Sequence, residues 1–279
     1  MLCQIGKPRL RQGQCVTAIG INVRQQGVGA AARLRHLLPV KRIILRVSGN
    51  DREKFLHGLL TRDVPETGLG YAALLTPQGK YLADFLTFRD ADAFYLDVSA
   101  DQAPGLAQRL AMYRLRSKVE IADSGLSVAR GIGEAPKDAV VDPRPGMGWR
   151  QYATEGGAQG GDDIDWDAVR VENIVPQAGI ELIPNESYIL EMGFERLGGV
   201  DFKKGCFVGQ EIVARMKHKT ELRKGLVRVK GAVAPGAEIT NAGRPAGTVH
   251  TVSGNRALAY LRFDRAEGME TEAGPLTLV

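Results

Sequence analysis

One stretch of the chain concentrates groups capable of covalent chemistry. Residues 202–219 read Phe-Lys-Lys-Gly-Cys-Phe-Val-Gly-Gln-Glu-Ile-Val-Ala-Arg-Met-Lys-His-Lys. Val208, Ile212 and Met216 recur at four-residue spacing, and Glu211 precedes Arg215 by four, the favoured order for a helical ion pair. The spacing predicts a helix beginning near Val208 or Gly209, with Cys206 just before its N-terminus and Lys204 beside the thiol. Free N–H groups at the helix start and a nearby ammonium favour the thiolate, the form that acts as nucleophile and metal ligand. Gly205 and Gly209 bracket the thiol and permit positive φ or close approach of a ligand to the backbone. A buried, inert cysteine at a helix start is the plain alternative. Two lysines, two glycines and the Gln210-Glu211 pair around one thiol weigh towards function.

One thiol narrows the chemistry. An iron–sulfur cluster is normally held by four thiolates, and a structural zinc by four Cys or His ligands. The histidines His36, His57, His218 and His250 show no ligand spacing. A Cys-His-Asp hydrolase needs His57, His218 or His250 to meet Cys206 in space, and nothing in the sequence argues for that. Residues 203–230 carry nine Lys and Arg against Glu211 and Glu221, a local charge of +7. Such a patch suits an anionic ligand (a phosphate, a carboxylate tail or RNA), a solvated helix face being the bland alternative. Aromatic interleaving, which a single-strand nucleic-acid platform needs, is nearly absent after Phe207. The formal charge of the 279 residues is +5, but residues 1–40 supply six basic residues and no acid, so residues 41–279 net −1. A globally basic nucleic-acid binder is thereby disfavoured.

The elements that must position this segment follow from patterning. Residues 1–39 read as a basic N-terminal extension without an apolar signal core. A misassigned start and a transit peptide are its other readings. Gly27–Ala32 matches G-x-G-x-x-A, but Arg24, Gln25 and Gln26 stand where a buried strand must lead in, so the match is read as chance. Three domains follow, at 40–125, 126–222 and 223–279. In the first, alternation at Ile43, Leu45 and Val47 predicts a strand. Asn50, with Glu53 three residues on, predicts a capped helix whose apolar face is Phe55, Leu56, Leu59 and Leu60. Residues 72–75 and 81–88 predict a hairpin about the turn Thr76-Pro77-Gln78-Gly79. A strand at 94–98, a helix at 102–115 and a strand at 118–121 complete an antiparallel α+β unit. Residues 143–166, rich in Gly, Pro and Asp, predict loops. The run Asp162, Asp163, Asp165 and Asp167 fails as a calcium loop, because Ala168 and Ile174 fall where Gly and Glu are required. Short β segments at 226–229, 248–252 and 257–263 predict a small antiparallel barrel. No apolar run reaches the ~18 residues of a membrane span. Three cysteines, Cys3, Cys15 and Cys206, are too few and too odd for a disulfide scaffold. The expected compartment is therefore reducing and cytoplasmic, or the mitochondrial matrix if residues 1–39 are a transit peptide.

Lys204-Gly205-Cys206-Phe207-Val208-Gly209-Gln210-Glu211, with Arg215 four residues later, resembles the signature K-G-C-[FY]-x-G-Q-E-x3-R of the YgfZ family. These are folate-binding proteins of iron–sulfur cluster maturation, related to the T-protein aminomethyltransferase of glycine cleavage. The stretches Val47–Asp63, Thr76–Phe85, Leu115–Val119, Ile183–Glu186 and Gly243–Leu261 are similar to the family too, so the resemblance covers about residues 40–270. It implies an α+β, T-protein-like ring of antiparallel units around a central folate pocket, closed by a small C-terminal β-barrel. Tetrahydrofolate is the implied cofactor, with Asp84 facing the pterin and Gly205, Gly209, Gln210, Glu211 and Arg215 as further ligand-binding positions. Cys206 is implied as a thiolate nucleophile or transient ligand, with Lys204 setting its charge state. The implied partners are client iron–sulfur proteins, mainly four-iron ones, or other assembly factors, with no membrane and no nucleic acid. Folate-dependent aminomethyl transfer is the alternative. The chain is short for a T-protein, and the Lys-Gly-Cys motif replaces that protein's cysteine-free equivalent. An RNA-binding or tRNA-modification-linked module rests on the basic patch alone. The resemblance implies an accessory factor for assembly or repair of clusters on client enzymes rather than a glycine cleavage enzyme.

Overall fold

The computed structural model describes residues 41–154, 163–219 and 221–279. The extension at 1–39, its Gly27–Ala32 match and Asp162 lie outside the described residues. Strand β1 (Arg42–Ser48) leads into helix α1 (Arg52–His57), the hairpin β2 (Gly70–Leu75) and β3 (Tyr81–Arg89), and β4 (Ala93–Ser99). Helix α2 (Ala103–Arg114) and β5 (Glu120–Asp123) follow. The strands form one antiparallel sheet in the order β2-β3-β4-β1-β5. Leu45 and Val47 of β1 face a core shared with Phe55, Leu56 and Leu60 and with Ala103, Leu106 and Leu110 of α2. Each such fully buried Leu or Val contributes about 1.5–3 kcal/mol relative to exposure. Ile44, on the other face, is buried as well, because residues 126–131 of a second sheet lie against β1.

The start of α1 differs from expectation. Asp51, not Asn50, is the N-cap residue, and no side chain caps the helix. The Asp51 carboxylate instead accepts the Lys118 N–H at 2.7 Å, so the residue that would cap α1 ties it to the approach to β5. The β2–β3 turn forms as the sequence predicts: Gly79 N–H donates to Thr76 O at 2.9 Å. Gly79 has φ +73°, a conformation open to glycine at little cost.

A second sheet takes the order β6-β8-β7, from β6 (Leu126–Gly131), β7 (Val140–Val141) and β8 (Trp149–Thr154). The loop expectation for 143–166 is thus corrected over 149–154. Residues 143–148 do make the turn, but Trp149 and Arg150 are buried and strand-bound. Averaging over the flanking Gly and Asp hid a short β-prone run. Asp165 caps α3 (Trp166–Asn173), accepting the Ala168 N–H at 2.9 Å, and Asp167 pairs with Arg170 at 2.9 Å. These two aspartates therefore serve the helix rather than a solvated loop.

Residues 174–209 form turns that wrap the outer face of the β2–β3 hairpin. Leu182, Ile189, Phe194 and Leu197 bury against Tyr71, Leu75, Tyr81 and Leu86. Helix α4 (Gln210–Lys219) leads to β9 (Lys224–Gly231), β10 (Glu238–Asn241), β11 (Arg244–Ser253), β12 (Arg256–Arg262), β13 (Met269–Thr271) and β14 (Gly274–Leu278). These six close into a barrel in the order β10-β11-β12-β9-β14-β13, filled by Val229, Ile239, Val249, Leu261 and Leu276.

Candidate functional site

The thiol loop is set by what its neighbours bury. Lys204 and Phe207 point inward, while Gly205 and Cys206 are exposed. Lys204 reaches across to the end of α1. Its ammonium donates to His57 O at 2.6 Å and Leu60 O at 2.7 Å, and meets Asp63 Oδ1 at 3.3 Å. A helix C-terminus leaves its last carbonyls without intrahelical partners and carries partial negative charge, so a buried ammonium is well placed there. Burial lowers the Lys204 pKa from the usual lysine range, with Asp63 acting against that. All three N–H donors are used, and none reaches the Cys206 thiol. Lys204 therefore locks the loop, whereas the sequence reading had its charge set the thiol's. The Val208 N–H donates to Gly58 O at 3.2 Å, so both sides of Cys206 are tied to the same helix end.

Of the two uses expected of the glycines, Gly209 meets the first, a positive φ. Gly209 sits at φ +86°, and a Cβ there would lie 2.6 Å from Thr76 O of the β2–β3 turn. At Gly205 a Cβ would lie 2.7 Å from His57 Nε2. The close approach is made by this chain itself, not reserved for a ligand. It brings an imidazole against the residue preceding Cys206, a neighbour 148 positions away that no local pattern announces. His57 Nδ1 is held by Asp63 at 2.9 Å. A cleft of about 380 Å³ opens beside His57 and Asp63, bounded by Lys54 and Phe94. A larger one, about 740 Å³, lies near Leu115–Ser117 and holds none of the expected site residues.

Asp84 is buried inside β3. Tyr71 donates its hydroxyl to Oδ2 at 2.9 Å and Tyr81 donates to Oδ1 at 2.6 Å. Gln102 Nε2 donates in turn to the Tyr81 oxygen at 2.8 Å, leaving Gln102 Oε1 buried without a partner. Burial first, and the Asp84 charge second, push both tyrosines well above the usual phenol range. The two hydroxyls take one lone pair on each carboxylate oxygen, and a carboxylate offers about four acceptor positions. The thiol loop and Asp84 meet through the hairpin: Gly209 packs on the turn of the same hairpin that carries Tyr71, Tyr81 and Asp84.

Gln210 and Glu211 open α4, and the Glu211–Arg215 pair forms at 2.8 Å on its exposed face. The +7 count over 203–230 disperses in space. Lys204 is on carbonyls, Arg215 on Glu211, Lys217 on Glu195 at 2.5 Å and Arg228 on Glu172 at 3.1 Å. Acidic partners outside the segment neutralise three of the nine cations, and Arg215 pairs with a glutamate already in the count, so the patch is thinned rather than removed. A denser ionic cluster, which the sequence did not reveal, joins the two sheets. Asp97 accepts Arg42 Nε at 2.6 Å, Arg150 Nη1 at 2.7 Å and the Tyr152 hydroxyl at 2.9 Å. Asp142 accepts Arg144 Nη2 at 2.7 Å and Arg150 Nε at 3.0 Å. Burial alone would raise Asp142, but Arg144 and Arg150 hold it well below the carboxylate range. Arg144 lies 5.1 Å from the Tyr71 ring centre, which links this cluster to Asp84. Arginines scattered over 42–150 carry no local signal of such a cluster.

Comparison with known proteins places this geometry. Residues 223–278 match the family model of the CAF17 C-terminal beta-barrel domain. Aminomethyltransferase T of the glycine cleavage system from Bartonella henselae superposes with a TM-score of 0.69 over 85% of this chain and 82% of its own, at 15% identity. The fold is therefore that of the T-protein aminomethyltransferases with a closed six-stranded C-terminal barrel. The chain is 30% identical over 276 residues to the mitochondrial iron–sulfur cluster assembly factor IBA57 of Mus musculus, covering 81% of this chain and 77% of that one. For the Homo sapiens protein of the same name the figures are 30% over 275 residues, 81% and 77%. A mitochondrial IBA57 homolog of Phaeosphaeria nodorum is 29% identical over 292 residues, covering 84% and 72%. The YgfZ resemblance thus pointed to a related family, and the chain itself belongs to the IBA57 family of iron–sulfur cluster assembly factors.

Proposed function

We propose that the protein hands iron–sulfur clusters, chiefly four-iron ones, to client enzymes, with Cys206 presenting the thiolate that attacks or transiently ligates the cargo. One observation carries this reading: Cys206 is a free, exposed thiol on a loop held from both sides by the end of α1. A nucleophile or transient ligand needs access and a fixed position, and an inert structural cysteine needs neither. Clients or other assembly factors are the expected partners.

Tetrahydrofolate is the proposed cofactor, with Asp84 as its pterin-binding carboxylate. The residues present fit it. The Asp84 oxygens keep acceptor positions beyond the two tyrosine hydroxyls, and the unpartnered Gln102 Oε1 lies one residue away in the same hydrogen-bonded chain. When bound, tetrahydrofolate supplies a reduced pterin able to carry one-carbon units. Tyr71 and Tyr81 fix the carboxylate's orientation by donating to both oxygens. Folate-dependent aminomethyl transfer has only the fold likeness behind it. The RNA reading has only the basic count of 203–230 behind it, thinned by three outside partners and without interleaved aromatics. The relatives' names favour the mitochondrial matrix over the cytoplasm, and a reporter fused to residues 1–39 decides between them.

The test is complementation with Cys206→Ala in a strain lacking the native protein. Loss of a four-iron client's activity, with tetrahydrofolate affinity of the purified variant unchanged by calorimetry, is the expected result. Full client activity with Cys206→Ala refutes the thiol role. Absence of tetrahydrofolate binding by the wild type refutes the cofactor assignment.

A further inference from the structure

The ionic cluster between the sheets contains one cation too many at a defined place. The β6–β8 register sets Arg130 directly opposite Arg150, so both side chains leave the sheet on the same face. Like charges directly opposite one another destabilise a strand pair unless neutralised. Arg150 is neutralised by Asp97 and Asp142, and those two carboxylates also serve Arg42 and Arg144. Three guanidiniums thus share two carboxylates, and Arg130 adds a fourth positive charge. Asp84, reached through Tyr71, offsets only one of these. Among the described residues Arg130 makes no hydrogen bond and no ion pair. Its guanidinium lies half-buried over the Trp166 ring, 3.9 Å from the ring centre, at the first turn of α3. Burial, and then the charges of Arg150, Arg42, Arg144 and Arg170, push its pKa down to about 9, which still leaves it charged at neutral pH.

This arrangement is costly for the fold alone. Cation–π contact with an indole is a modest gain, and an uncharged side chain of similar length would pack on Trp166 without repelling Arg150. The arrangement suits recognition: a planar fork of five N–H donors, none used within the described protein, is braced by an aromatic face in a positively biased setting. We infer that Arg130, braced by Trp166, is the receptor for the anionic group of a ligand, a carboxylate or a phosphate bound through the guanidinium fork. The inference stands whether or not the folate reading holds. If it holds, the glutamate tail is one source of the anion. Asp84 and Arg130 then lie at opposite ends of a continuous chain of contacts through Tyr71, Arg144, Asp142 and Arg150.

The test is calorimetric titration of the full chain at low ionic strength, as wild type, R130Q and R130K. Inorganic phosphate, glutarate, tetrahydrofolate and tetrahydropteroate, which lacks the glutamate, are the titrants. R130Q should weaken binding of phosphate or glutarate at least tenfold, and R130K should retain part of it. R130Q should also melt at or above the wild-type temperature, since it removes a repelling charge. A tenfold loss for tetrahydrofolate with none for tetrahydropteroate assigns the site to the glutamate tail. Arg130-dependent phosphate binding in a protein that ignores both folates assigns it to a phosphate ligand and refutes the folate reading alone. Wild-type affinity of R130Q for every anion overturns the inference. So does a lower melting temperature with anion binding unchanged, which would make Arg130 a structural brace for Trp166.

Discussion

Replacing Gly209 with alanine tests how the thiol loop is held. Gly209 has φ +86°, and its Cβ would meet Thr76 O at 2.6 Å, Gly79 Cα at 3.1 Å and Leu75 Cβ at 3.2 Å. The first two are backbone atoms and cannot rotate away. Gly236 is a built-in control, with φ +81° and nothing within 4 Å of its Cβ. Both alanines incur the left-handed penalty of about 1–2 kcal/mol. Only Gly209→Ala adds an overpacking cost, about 1–3 kcal/mol. For a domain of this size each kcal/mol moves the melting temperature by roughly 2–4 °C. Gly209→Ala should therefore melt about 2–12 °C below Gly236→Ala in scanning calorimetry. In a Cys3→Ser, Cys15→Ser background, Gly209→Ala should also change the rate at which Cys206 reacts with a chromogenic disulfide, while Gly236→Ala should not. Equal melting temperatures for the two alanine variants would refute the claim that the β2–β3 turn clamps the loop.

Lys204→Met leaves the carbonyls of His57 and Leu60 buried without their donor and Asp63 without its cation. A loss of about 2–4 kcal/mol in urea unfolding is expected, far more than an exposed lysine would cost. Tyr71 and Tyr81 titrate well above the phenol range, so their neutral form is the one the fold stabilises. That stability is complete below about pH 10, where tyrosines of the unfolded chain are protonated, and falls as pH rises beyond it. Asp84→Asn should lower the pH at which these two phenols ionise, followed by absorbance near 295 nm, and an unchanged alkaline titration would count against the carboxylate's part in the shift.

The sequence was most informative where a local pattern and a local cause coincide. The β2–β3 hairpin, α2 and the helix after Cys206 were legible because periodicity and turn residues decide them. The barrel was legible in β9, β11 and β12 but not in β10, β13 and β14, whose three to five residues are too short to show a period. Cys206 stood out through its rare surroundings. What Lys204 does could not be read, because its partners lie 144 and 147 residues away. The same holds for the charge patch. Counting along the chain places the cation excess at 203–230, whereas pairing across the fold lowers it there and the strand register sets a further cation, Arg130, opposite Arg150. Tyr71 and Tyr81 were readable only as hairpin aromatics, since their hydroxyls find Asp84 through strand register.

The order of the strands also decides how this protein can be gripped. An open strand edge invites another chain to add a strand, in aggregation or in recognition. The barrel, closed between β10 and β13, offers no such edge. In the five-stranded sheet the flanking strands are β2, buried along its whole length, and β5, only four residues long; in the three-stranded sheet they are β7, two residues long, and β6, which lies against β1. A client or assembly factor approaching Cys206 must therefore read side chains rather than backbone, and substitutions on the exposed surface, not truncation of a strand, should alter its choice of partner. The same economy of edges protects a protein that holds a free thiol in the open from pairing strand to strand with copies of itself.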